Sequence, residues 1–214
     1  MGPRRSPALL ALLLLLLPAS RPAGAASPGA EEFMRRVRAA ILDSQPFRVD
    51  FVQQVFLDGE LEMEESGEIV FADRGRVKWE YRRPESKLFL LEGGRYQYYD
   101  REANQLTRGT VGEGQQRLIW ELLLAERPGA AVSWEPGQRL VRLRLDAGAG
   151  GEEGQELKVF VGADFLPRRV EQSGADQVTT VYRLERYRRR VALQAGDLSL
   201  QVPADAEVVE DPLP

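Results

Sequence analysis

Between Phe47 and Tyr81 apolar and polar residues alternate with a period of two, and the pattern returns in short runs almost to the end of the chain. Phe47, Val49, Phe51, Val55 and Leu57 alternate with Arg48, Asp50, Gln54 and Asp58. Leu61, Met63, Ile69 and Phe71 continue the series, and Val77, Trp79 and Tyr81 alternate with Arg76, Lys78, Glu80 and Arg82. Successive strand side chains point to opposite faces, so these runs read as strands with one buried face. Turn signals punctuate them at Asp58-Gly59, Ser66-Gly67, Asp73-Arg74-Gly75, Arg83-Pro84 and Glu92-Gly93-Gly94. Further strands are expected at 87–91, 95–100, 104–108, 131–134, 139–145, 156–161, 168–172, 178–184 and 197–202. Short, turn-rich links make neighbouring strands antiparallel, and a sheet of about a dozen strands has to curl or close.

Two stretches break the period. Over 31–42, Phe33, Val37, Ala40 and Ile41 fall at helical spacing, with Arg35, Arg36 and Arg38 off the stripe and Glu31 and Glu32 in the first turn, where the helix dipole favours acid. Over 115–126, Leu118, Ile119, Trp120, Leu122, Leu123 and Leu124 surround almost the whole circumference, with Glu121 as the main interruption. A surface helix shows one apolar stripe, so this one is either buried on several sides or covers something greasy. It lies between a glycine-rich loop at 109–114 and Arg127-Pro128-Gly129, a setting that suits a lid as well as a packed helix. Two helices cannot cover both faces of such a sheet. The expected fold is therefore mainly β with two helices (α+β): a strongly curved antiparallel sheet, an incomplete or half barrel, closed by an N-terminal helix and a lid helix. Its concave face takes Phe51, Val55, Met63, Ile69, Val77, Trp79 and Tyr81, which either fill a core or line a cavity.

The N-terminus has the order of a secretory leader. Arg4 and Arg5 precede an apolar run from Ala8 to Leu17, Pro18 ends it, and Ala23-Gly24-Ala25 gives a small-x-small cleavage signal. The run is half the roughly 20 residues that span a bilayer. Residues 1–25 are expected to be a cleavable signal peptide and 26–214 a single domain. The chain has no cysteine and no histidine. Without cysteine it has no disulfide and no lipoprotein acylation site; without either residue it has no Ser-His or Cys-His nucleophile and no His or Cys zinc ligand. The formal net charge is −4, and the leader removes Arg4, Arg5 and Arg21 but no acid, so the mature chain is more acidic still. That balance argues against nucleic acid as a partner.

Other clusters have ordinary explanations. Arg183, Arg186, Arg188, Arg189 and Arg190 flank a predicted hairpin, as a solvated tip or a docking patch. Glu62, Glu64, Glu65 and Glu68 read as a solvated strand face without metal-loop spacing. No carboxylate pair can be assigned acid and base roles, and no metal, cofactor or enzymatic activity is expected.

Several landmarks now align in order. Phe47-x-x-x-Phe51-x-Gln53, Ser66-Gly67-Glu68-Ile69-Val70-Phe71, Val77-Lys78-Trp79-Glu80-Tyr81 followed by Pro84, Glu92-Gly93, the aromatic strand from Tyr96 to Asp100, Asn104-Gln105-Leu106, and Leu198-x-Leu200-x-Val202-Pro203 together resemble the periplasmic outer-membrane lipoprotein carrier family, LolA. The resemblance implies an eleven-stranded half-barrel with a helical lid over an apolar cavity. It implies a periplasmic carrier, acting as a monomer, that binds acyl chains of lipoproteins released at the inner membrane by an ABC exporter and passes them to an outer-membrane acceptor. The cavity would then be lined by Phe51, Val55, Met63, Ile69, Val77, Trp79, Tyr81, Leu90 and Tyr98, with Leu118, Ile119, Leu122 and Leu123 on the lid. The family's lid-latching arginine precedes a proline. Here the turn reads Asp73-Arg74-Gly75, so Arg74 is either the latch, offset by one position, or a solvated turn residue. Competing readings are a carrier of another lipid (glycolipid or fatty acid) and a lipoprotein-sensing regulatory module of the same fold.

Overall fold

The computed structural model describes residues 28–73, 75–110, 131–145, 155–173 and 177–211. Within them one α-helix, α1 (Pro28–Asp43), precedes twelve strands: β1 (Phe47–Leu57), β2 (Glu60–Asp73), β3 (Arg76–Arg83), β4 (Lys87–Glu92), β5 (Arg95–Asp100), β6 (Gln105–Thr110), β7 (Ala131–Glu135), β8 (Leu140–Leu145), β9 (Gln155–Val161), β10 (Pro167–Ser173), β11 (Val178–Arg189) and β12 (Glu207–Glu210). They form a single curved, unclosed sheet in the order β12-β6-β5-β4-β3-β2-β1-β11-β10-β9-β8-β7. The predicted helix at 115–126, with Leu118, Ile119, Leu122 and Leu123, and the latch candidate Arg74 lie outside the described residues.

The period-two alternation decides the layers. Odd-numbered residues of β1 to β3 face α1: Phe47, Val49, Phe51, Ile69, Phe71, Val77 and Trp79 are buried in one cluster with Phe33, Met34, Val37 and Ile41 of the helix. Met34 is a core residue that the predicted helix stripe omits, whereas Ala40 is only half-buried. The helix ends where the Ser44 hydroxyl and amide both donate to the Ala40 carbonyl, at 2.7 and 3.2 Å. The chain there is held to the far end of β11, because the Arg190 and Val191 amides donate to the Ser44 and Pro46 carbonyls. The other end of α1 rests on β7 through Phe33, whose ring stacks on Trp134 with centroids 3.6 Å apart.

Five expectations need correction. β2 is not interrupted at Ser66-Gly67; it runs through, because Gly67 lets β3 approach so closely that a Cβ there would lie 1.9 Å from the Glu80 carbonyl oxygen. Residues 197–202 form no strand. Their alternating Leu200 and Val202, with Ala206, pack across the outer face on Leu88, Tyr99 and Leu106, so the apolar pattern is satisfied by packing instead of by pairing. The chain then adds β12 alongside β6, in parallel, giving twelve strands where the family resemblance implied eleven and one exception to the antiparallel rule. The arginines from Arg183 to Arg189 lie along β11 and not at a hairpin tip, because β11 continues to pair with β1 as far as Phe47 opposite Arg189. Finally, Glu65 and Glu68 are buried, each about 6% exposed, and not solvated.

The outer face explains Glu68. Its carboxylate lies 2.8 Å from both Arg48 and Arg82, and Arg48 also reaches Asp197 in the crossing segment. Asp50 meanwhile pairs with Arg186 and Arg188. Lys78 secures the same crossing by donating to the Ser199 carbonyl at 3.0 Å. Burial alone would raise the Glu68 carboxyl, but the hydrogen bonds from Arg48 and Arg82 outweigh it and hold the group below its ordinary value of 4.5. A depressed carboxylate contributes stability above its unfolded value that is lost as pH falls through the folded one. Urea midpoints should therefore drop below about pH 4.5, and Glu68→Gln should flatten that limb while costing about 1–3 kcal/mol at neutral pH. Gly67→Ala should cost more than about 2 kcal/mol in the same assay, because backbone atoms of β3 have to move.

Candidate functional site

The inner face of the sheet falls into two parts. At the end where β1 begins and β2 finishes, α1 fills it completely: Phe47, Val49 and Phe71 are fully buried. At the opposite end, where β1 turns into β2 and β3 into β4, the same face is only partly covered. Val55, Tyr81, Phe89, Tyr98 and Tyr182 are half-buried there, and Met63 is 38% exposed. Aromatic rings link the two parts. Phe47 stacks on Phe71, Phe51 meets Tyr81 edge-on at 5.1 Å, and Trp79 meets Phe89, which stacks on Tyr96. Edge-on and offset contacts of this kind supply large apolar area in a fixed shape.

The residues predicted for a cavity separate accordingly. Ile69, Val77 and Trp79 belong to the packed cluster shared with α1. Phe51 sits at the boundary, buried but touching Tyr81. Val55, Met63, Tyr81 and Tyr98 lie on the partly open wall. Leu90 is on the other face: it pairs with Lys78 and Gln97, one residue out of phase with Phe89, which joins the inner cluster. The run Leu88-Phe89-Leu90-Leu91 is apolar throughout and gives no parity, which is why alternation could not orient it.

The open wall also carries polar groups. Gln53, Glu65 and Tyr182 lie in one register row across β1, β2 and β11. The Tyr81 hydroxyl donates to Gln53 Oε1 at 3.1 Å. The Lys87 ammonium donates to Glu65 at 3.0 Å and pairs with Glu85 at 2.8 Å. Hydrogen bonding to Glu85, and then to Glu65, holds Lys87 above the usual lysine range against the opposing effect of burial. Burial pushes the Tyr81 phenol well up and takes Tyr182 to about 12. Sequence reading missed Glu65, Lys87 and Tyr182 as inward residues, although Glu65 shares the parity of Met63 and Ile69.

Two hollows lie elsewhere. One of about 360 Å³ sits on the outer side among Asp50, Val52, Arg82, Arg183 and Arg186. The other, about 560 Å³, lies where β5, β6 and β12 meet, beside Tyr96. The Tyr96 hydroxyl bonds Asp211, which carries the phenol up to about 12. Its ring occupies the space that a side chain at Gly109 would need.

A curved sheet with a helix seated in one half of its concavity and a partly uncovered aromatic wall in the other suits an apolar ligand, and comparison with known proteins agrees with that architecture. Residues 43–195 match the family described as outer membrane lipoprotein carrier protein LolA. The chain belongs to this family. An outer-membrane lipoprotein carrier protein of Chromobacterium violaceum is 32% identical over 101 residues, which cover 47% of this chain and 48% of the relative. The chain thus matches about half the length of that curated LolA-family relative. A crystal structure of a conserved uncharacterized protein from Thermus thermophilus superposes with a TM-score of 0.52 at 19% identity, covering 86% of this chain and 99% of that one. A LolA superfamily protein from Nitrosomonas europaea gives 0.51 at 10% identity over 80% and 97%. At those identities the two structures support the LolA-type fold alone.

The division of the inner face has a direct test. Ile69→Ala, in the packed half, should lower the unfolding free energy by about 2–4 kcal/mol, and Met63→Ala, on the open half, by less than about 0.5 kcal/mol. Denaturant midpoints at constant slope measure both.

Proposed function

We propose that this protein is a non-enzymatic periplasmic carrier that shelters the acyl chains of lipoproteins between the inner membrane and the outer membrane. The observation that supports this reading is the unequal inner face: one half is consumed by α1, and on the other Val55, Tyr81, Phe89 and Tyr98 are only half-buried and Met63 is exposed. Membership of the LolA family and the lipoprotein carrier from Chromobacterium violaceum point the same way.

The physics of cargo favours such a surface. Burying one methylene is worth about 0.8 kcal/mol, so a long acyl chain holds roughly 12 kcal/mol against transfer into water. A carrier has to offset much of that and still release its load. A wall of half-buried aromatic and aliphatic groups provides area without the closeness of a sealed core. Residues 1–25 would act as the export leader, with 26–214 as the carrier domain. The segment with Leu118, Ile119, Leu122 and Leu123 would cover the bound chains, and Arg74 would hold it. An ABC exporter at the inner membrane would load the carrier, and an outer-membrane acceptor would unload it. The carrier would work as a monomer, without cofactor or metal.

Native mass spectrometry of the protein purified from a periplasm tests the reading. Co-purified diacyl or triacyl lipoprotein is the expected result, and a bound phospholipid or glycolipid would replace the cargo assignment. Val55→Glu should lower the affinity for a synthetic diacyl lipopeptide at least about tenfold while leaving the thermal midpoint within a few degrees, since it places a charge in the acyl path outside the packed core. Leu122→Glu should do the same if its segment covers the chains. Unchanged uptake by both variants would sink the carrier reading.

A further inference from the structure

One band of the inner face breaks the apolar series. Along β2 the inward positions run Phe71, Ile69, Gly67, Glu65, Met63, and along β1 they run Phe47, Val49, Phe51, Gln53, Val55. The row formed by Gln53, Glu65 and Tyr182 is therefore polar, with Phe51, Gly67 and Leu184 on one side of it and Val55, Met63 and Thr180 on the other. Tyr81 and Lys87, which pair in register on β3 and β4, reach this row through their side chains, the Tyr81 hydroxyl to Gln53 and the Lys87 ammonium to Glu65, and Tyr98 on β5, in register with Phe89, lies within the field of Lys87 and Glu65. Glu65 is buried, and its ion pair to Lys87 lies at 3.0 Å with side-chain exposures of 7% and 20%.

Buried ion pairs contribute little net stability, because desolvation cancels much of the attraction. A hydrophobic pair would hold this wall at least as well, so the band calls for another use. Its donors are partly committed: Tyr81 to Gln53, and Lys87 to Glu65 and Glu85. Among the described residues, the Tyr98 and Tyr182 hydroxyls have no hydrogen-bond partner. Burial keeps both phenols above their usual range, and hence protonated donors at neutral pH. The charge around them is unbalanced, since the single ammonium of Lys87 faces the carboxylates of Glu65 and Glu85, and Asp100 stands opposite it in register.

We propose that Tyr98 and Tyr182, set around the Glu65–Lys87 pair, form a polar collar that accepts the uncharged ester or amide linkage of acylated cargo and rejects the carboxylate of a free fatty acid. The inference rests on the acyl-carrier reading. An ester carbonyl has lone pairs and no charge, so it can take a phenolic hydrogen bond without meeting repulsion. A fatty-acid carboxylate would enter a site that already holds more negative than positive charge, and Lys87 is not free to neutralise it. The collar thereby gives selectivity to a wall whose apolar parts accept any chain of suitable length.

Matched probes separate the two ideas. Binding of hexadecane, methyl palmitate and palmitate, each delivered from cyclodextrin, is measured on the full mature chain at neutral pH. The wild-type protein should prefer methyl palmitate to palmitate by about tenfold or more, and the double variant Tyr98→Phe/Tyr182→Phe, which keeps both rings, should lose about fivefold or more for the ester with hexadecane unchanged. Glu65→Gln should narrow the gap between ester and acid. Because a lone charge change at a buried pair can unsettle the fold, Glu65→Leu/Lys87→Met, which removes both charges, is the second variant, and it should bind ester and acid within about threefold. Equal wild-type affinity for ester and acid, or no loss in the tyrosine double variant, would overturn the collar while leaving the carrier intact. Failure of the wild type to bind any of the three would overturn the carrier reading and the collar with it.

Discussion

The seating of α1 in half of the sheet's concavity is the contact on which the rest of this structure depends. Phe33, Met34, Val37 and Ile41 supply the apolar mass that a curved sheet needs on its inner side, and Phe33 against Trp134 fixes the helix to a strand that is last in the sheet order. A sheet cannot leave its whole inner face bare, because the apolar area removed from water is the main favourable term in folding. One helix that covers one half meets that need: stability is concentrated under α1, and among the described residues the other half is only partly buried.

The outer face is organised by a different rule. There Leu88, Tyr99 and Leu106 are covered by Leu200, Val202 and Ala206 of the crossing segment. That segment is held by charge where it starts, through Arg48 and Asp197, and by apolar packing where it ends. Glu68 joins the two systems, because Arg48, one of the two arginines that neutralise it, also holds the crossing. Arg186 and Arg188 of β11 are thereby absorbed into a structural network, with Asp50 between them.

Most of the architecture was legible in the sequence because period-two alternation is a local signal with a single geometric meaning. The strands from β1 to β3 and the face presented by Val55, Met63, Trp79 and Tyr81 follow from it, and the N-terminal helix follows from the helical spacing of Phe33, Val37 and Ile41. It failed where the pattern was ambiguous or was satisfied in another way. The apolar run at Leu88 to Leu91 has no parity, so Leu90 could not be oriented. Leu198, Leu200 and Val202 alternate like a strand, but Leu200 and Val202 pack on the back of the sheet. Glu65 was misread for a chemical reason: a glutamate in a row of glutamates suggests solvent, and only pairing with Lys87 across two strands makes its inward position tolerable. Partners distant in sequence leave no local trace.

The pairing of β1 with β11 has a consequence for how the chain is made. Phe47 lies opposite Arg189, so the strand at the centre of the sheet completes its second hydrogen-bonded edge with residues near the other end of the chain. Synthesis proceeds from the N-terminus, and contacts of long sequence separation form slowly because loop-closure entropy comes before their reward. Until β11 arrives, β1 presents an open edge flanked by Phe47, Val49 and Phe51, which is an aggregation hazard of the kind edge strands pose. A general chaperone would have its greatest effect in that interval, before β11 closes the edge of β1.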